Sequence, residues 1–147
     1  MRERPSPVDL NTTQDFYAEG RIEYAGQLYD EGMAAIKAKD FKAALMKLRL
    51  SARAFPSPTT LRQIGECLLD LGRPADATLY FAAAVGMVPH GMHIKPLLLL
   101  IKALLRARET GHALVRLQEV IERYPWMAPA ITANPEAAIE ELLQELP

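Results

Sequence analysis

The sequence predicts an all-α chain: three helical hairpins in series, with an extra helix before the first and a capping helix after the last. Three observations carry that prediction. Apolar residues recur at helical spacing, alternating β patterns are hard to find, and landmark residues repeat at one interval. Gly32 and Gly65, Ala44 and Ala77, Leu48 and Phe81, and Pro56 and Pro89 are each 33 residues apart. An interval of that length fits one supersecondary unit that buries its apolar face by stacking on its neighbours.

Taken in order, residues 1–11 hold two prolines, mixed charge and little to bury, and read as a flexible arm. Residues 12–147 read as one domain. Asn11, Thr12 and Thr13 offer caps to a first helix with Phe16, Ile22 and Tyr24 on its apolar side, interrupted or weakened at Gly20. The first hairpin, about 25–56, has the stripes Leu28, Gly32, Ala35, Ile36 and then Phe41, Ala44, Leu45, Leu48, with its break at Lys39-Asp40. The second, 57–89, is the clearest: Leu61, Ile64, Gly65 and Leu68, a break at Gly72-Arg73-Pro74, then Ala77, Phe81, Ala84 and Val85. Gly65 stands where the helices cross, so that Phe81 can fill the gap. The third, 90–125, has Leu97, Leu100, Ile101 and Leu104, a turn at Gly111, then Ala113, Leu117 and Val120, and is longer, with 36 residues from Pro89 to Pro125. Trp126 to Ala133 reads as a connector. Asn134-Pro135-Glu136 is a helix start with cap, first-turn proline and an acid at the positive dipole end, opening a last helix of about 135–146.

Composition narrows the function classes. Half the residues are apolar, 24% are charged and the net charge is −1, which gives no overall drive toward nucleic acid or an anionic membrane. Nor is there a nucleic-acid motif or aromatic interleaving in the basic stretches. The densest apolar run, Leu97 to Ile101, is stopped by Lys102 and is far short of a membrane span. One cysteine excludes an intramolecular disulfide and, with no apolar segment behind the charged start, points to a reducing, cytoplasmic setting.

These residues resemble the tetratricopeptide repeat (TPR) family, whose pattern asks for a large residue, Leu-Gly and a Tyr-sized residue, then Ala, an aromatic, Ala and Pro. The second hairpin supplies Leu61, Ile64-Gly65, Leu68, Ala77, Phe81, Ala84 and Pro89. The first supplies Leu28, Gly32, Ala35, Ala44, Leu48, Ser51 and Pro56. The third departs most, with Ile101 where the family prefers Gly. The resemblance spans about residues 25–125 and implies a superhelical solenoid of three hairpins that acts as a non-enzymatic protein-interaction module, binding a peptide or partner protein in a concave groove lined by the first helix of each pair.

By family offset that groove is implied to hold Tyr29 and Met33; Arg62, Gln63 and Glu66; and Lys95, Leu98, Leu99, Lys102 and Arg106. Tyr29 and Arg62 would give polar or stacking contacts, Leu98 and Leu99 apolar anchors, and Lys102 and Arg106 charge for acidic groups. The carboxylate clamp that some TPR proteins use on heat-shock chaperones is not implied, since of its five positions (Tyr29, Met33, Gln63, Lys95 and Leu99) only Lys95 is retained. Size and layout also resemble the three-repeat chaperones of type III secretion translocators, so that shielding of an aggregation-prone client is one alternative role.

Two stretches bear on partners. Leu97 to Ile101 is apolar all round and needs cover on both sides, from the neighbouring hairpin and the last helix. If instead Leu98 and Leu99 stay open, they form a peptide-binding or dimerising patch. Lys37, Lys39, Lys42, Lys47, Arg49 and Arg53 form a basic run, while Glu136, Glu140, Glu141 and Glu145 lie in a tail with no Lys or Arg. Solvated faces account for most such runs, but self-association of the two as a homo-oligomeric structural subunit is the second alternative. Catalytic motifs are missing: there is no phosphate loop, HExxH, paired Cys or GxSxG, and no cofactor is expected. His90 and His93 flank a loop with His112 further on and read as solvated histidines rather than a metal site, Cys67 reads as a buried thiol, and Glu66 and Asp70 as a polar helix face.

Overall fold

The computed structural model describes residues 7–89 and 94–147, with side chains from residue 17 onward; all the regular structure in them is helical. The chain divides into two compact units, residues 1–56 and 57–147. Pro56 and Pro58 flank the boundary, and neither has a backbone N–H with which to continue a helix.

The first unit contains helices α1 (Pro7–Lys37) and α2 (Phe41–Ala54). Helix α1 starts inside the expected arm and runs unbroken through Gly20, merging the anticipated extra helix with the first hairpin. A glycine within a helix costs about 1 kcal/mol, which neighbouring turns absorb. From Tyr17 to Tyr24 every side chain is exposed or half-buried, so Ile22 and Tyr24 are not a core face; Phe16 lies outside the described side chains, and Asn11 to Thr13, expected to cap the helix, fall within α1, which begins at Pro7. Packing begins at Ala25 and Leu28 of α1, which meet Ala44, Leu45 and Leu48 of α2 in the core of this unit. Gly32 permits the approach, since a Cβ there would stand 2.8 Å from Leu48 Cγ and Cδ2. The buried Ser51 hydroxyl donates to the Ala25 carbonyl at 2.7 Å and ties the open end of the hairpin.

The second unit contains α3 (Pro58–Asp70), α4 (Pro74–Met87), α5 (Lys95–Arg106), α6 (Thr110–Arg123), a 3-10 turn (Pro125–Met127), α7 (Ala128–Ala133) and α8 (Pro135–Glu145). The anticipated connector is thus largely helical. Neighbours in sequence pack together, α3 on α4, α4 on α5 and α5 on α6, while α8 returns to α5. Ile64, Leu68, Ala77, Phe81 and Ala84 are fully buried between α3 and α4, and a Cβ on Gly65 would meet the Phe81 ring at 2.5 Å. At the equivalent place in the third hairpin, Ile101 is fully buried, and α5 approaches α6 along far less of its length than α3 approaches α4. The larger side chain spreads the pair.

The three hairpin turns share one geometry. Lys39, Gly72 and Arg108, 33 and 36 residues apart, adopt left-handed φ of 60°, 73° and 61°. In each turn the next residue's N–H reaches back five residues: Asp40 to the Ala35 carbonyl, Arg73 to Leu68 and Glu109 to Leu104, at 2.8 to 2.9 Å. This is the Schellman closure, in which a left-handed residue satisfies the last helical carbonyls. Only Gly72 is a glycine. The third turn therefore lies at Arg108 rather than at Gly111, which is part of the first turn of α6.

Candidate interaction face on α5 and α8

The site grows from the composition of α5. Eight of its twelve residues, from Pro96 to Leu104, are buried, as expected for a helix apolar all round. One side of it meets α4. Another enters a cluster in which Leu98 and Ile101 join Leu117 and Val120 of α6, Ile131 of α7, and Ala138, Ile139 and Leu142 of α8. The expected N-terminus of α8 is in place: the Asn134 side chain accepts from the Ala137 N–H at 3.2 Å and Pro135 follows. The cap aims α8 along α5 so that Ile139, 1% exposed, faces the cluster.

Leu98 and Leu99 are 1% and 4% exposed, so they are core residues and not an open anchoring patch. The apolar run is covered, in part by the last helix, because exposing it would forfeit about 1.5–3 kcal/mol per leucine. The polar candidates on the same helix remain accessible. Lys95 is half-buried, Lys102 is 22% exposed and Arg106 49%. Lys102 Nζ lies 2.6 Å from Glu140 Oε1, and Arg106 Nη2 reaches the same oxygen only at 3.9 Å. Beside them is a cleft of about 270 Å³ lined by Lys102, Arg106, Asn134, Glu136, Ala137, Ile139 and Glu140. Two cations thus share one carboxylate at the rim of this recess.

On α3, Arg62 donates to Glu66 at 2.8 Å, an intrahelical pair that occupies both, and Gln63 beside them is half-buried. Tyr29 and Met33 are half-buried on α1, in the other compact unit. The family offsets do not include Asn134, Glu136, Ala137 and Glu140, because α8 lies beyond the repeats. The signal for them was the need to cover Leu97 to Ile101 together with an acidic tail.

No group of His, Cys, Asp and Glu among the described residues could hold a metal ion; His90 and His93 lie outside those residues, and His112 is exposed against Glu109 at 3.1 Å. Cys67 is 1% exposed, and burial, followed by the negative charges of Asp70 and Glu66, pushes its thiol up to about 11. A protonated thiol is a poor nucleophile. Among the described residues no helix is long and apolar enough to cross a membrane. Comparisons of the chain with protein-family models, curated proteins and solved structures find no match.

Proposed function

We propose that the protein is a non-enzymatic interaction module of the tetratricopeptide type, which holds a partner protein or peptide through acidic groups that meet Lys102 and Arg106. The observation that supports this is the cleft beside α8. Glu140 satisfies Lys102 at 2.6 Å but leaves Arg106 at 3.9 Å, half exposed and facing a recess of about 270 Å³. A guanidinium carries five N–H donors in a planar fork and binds a carboxylate with two of them, so Arg106 has capacity for a second acid. Leu98 and Leu99 are enclosed and supply no apolar anchor for a partner. Specificity for the partner then rests on charge and on the shape of the α8 N-terminus.

The test is selection of binding peptides from a random library displayed on phage, followed by affinity measurement on the full chain and on Arg106→Glu. Arg106 is exposed enough that its reversal leaves the fold intact, which thermal unfolding verifies. Selected peptides are expected to carry Asp or Glu and to bind the variant at least about tenfold more weakly, the loss of one charge-assisted pair. Equal affinity for both proteins rejects the proposal.

A further inference from the structure

The cleft between α5 and α8 is lined by more charge than the proposed contact uses. Each helix contributes two charged residues one turn apart: Lys102 and Arg106 from α5, Glu136 and Glu140 from α8. One opposite pair is closed, Lys102 on Glu140 at 2.6 Å. The other is not. Arg106 reaches Glu140 only at 3.9 Å, and the exposed Glu136 makes no ion pair within 4.0 Å among the described residues. An under-used cation and an unused anion therefore line one recess without meeting. A first-turn glutamate suits the positive end of α8, but that role needs no cation across a cleft.

Opposite charges around one recess select a ligand by sign. A segment with acids alone gains Arg106 but sets like charge against Glu136 and Glu140, and one with bases alone gains Glu136 but opposes Lys102 and Arg106. A segment with one acid and one base satisfies both. Because Arg106 and Glu136 stand apart, its charges must too. Side chains two residues apart on an extended segment, at ~7 Å, or four apart on a helix, at ~6 Å, have that separation. At about 270 Å³ the recess is smaller than the ~300–1,000 Å³ of sites for drug-sized ligands, and suits side-chain ends. We infer that the segment bound in this cleft has mixed charge, placing an Asp or Glu on Arg106 and a Lys or Arg on Glu136. The inference rests on the proposed role of Arg106 and adds Glu136 as the residue that disfavours wholly acidic partners.

The probe is the tightest-binding peptide from the random library, made also with its acid as the amide or its base as Gln. Affinities for the parent chain, Arg106→Gln and Glu136→Gln complete two double-mutant cycles. Removing the base is expected to weaken binding about tenfold to the parent chain and less than about twofold to Glu136→Gln. Removing the acid should act in the same way, with Arg106→Gln as the insensitive variant. Both residues are exposed, and thermal unfolding verifies that the variants keep the fold. A second selection, on Glu136→Lys, should return peptides that have acids but no base at that spacing. Parent-chain peptides that carry acids without a base, no coupling of the base to Glu136, or an unchanged selection by Glu136→Lys overturns the inference and leaves the role of Arg106 standing. Absence of coupling between the acid and Arg106 removes both.

Discussion

Substitution of Gly65 by alanine tests the packing that sets the geometry of the second hairpin. A Cβ at this position would lie 2.5, 2.7 and 2.8 Å from Cε1, Cζ and Cδ1 of Phe81, a ring with no exposure to solvent. Three atoms of a rigid ring must move by about 1 Å in a close-packed site, which places the cost near the upper end of overpacking, about 3 kcal/mol. Alanine regains about 1 kcal/mol of helix propensity over glycine. The net expectation is a loss of about 2 kcal/mol, read from urea unfolding followed by circular dichroism. Replacing Phe81 by leucine, the residue present at the equivalent Leu48 and Leu117, costs stability alone but should relieve the clash. Gly65→Ala/Phe81→Leu is therefore expected to be more stable than the sum of its parts by at least about 1 kcal/mol. Gly32→Ala meets a leucine that can change rotamer, and should cost less than about 1 kcal/mol. Were Gly65→Ala as stable as the parent chain, the account of the close α3–α4 approach would be refuted.

Other expectations follow from the same contacts. Lys39→Gly and Arg108→Gly should each stabilise by about 0.5–1 kcal/mol, because both hold left-handed φ that a Cβ disfavours; urea midpoints check this, with Gly72→Ala destabilising as the converse. The Cys67 thiol lies at about 11 against an ordinary 9.0, so the folded chain retains a proton that the unfolded chain releases. Its contribution is complete below pH 9 and is lost as pH rises from 9 to 11, by about 3 kcal/mol at most, and Cys67→Ala should unfold with a flatter profile over that window. Glu140→Gln removes the carboxylate shared by Lys102 and Arg106; it should lower stability by about 1 kcal/mol and raise affinity for the selected acidic peptides, measured by calorimetry.

Much of the fold was legible because packing residues repeat. Gly65 with Phe81 showed where helices touch, the 33-residue interval carries the same contact to Gly32 and Leu48, and Ile101 forecast the wider third pair. The Asn134 cap was equally plain, as its chemistry is local. Less accessible was the continuity of α1, because Gly20 weakens a helix without forbidding it. The turn at Arg108 was missed for a related reason: composition favours Gly111 as a breaker, whereas the 36-residue offset from Gly72 points to a residue that adopts φ 61° against its own preference. In the candidate site, the cations were visible by offset. Their carboxylate partner was not, because Glu140 is 38 residues from Lys102 in the chain and only the return of α8 brings them together.

The most direct test of the proposed role is a titration of the isotope-labelled full chain with one selected acidic peptide, followed by amide and side-chain chemical shifts. Shifts concentrated at Lys102, Arg106 and the first turn of α8, Asn134 to Ala137, are the predicted result. Perturbation confined to α2, or none on α5 at saturating peptide, would contradict the assignment of this cleft as the binding face.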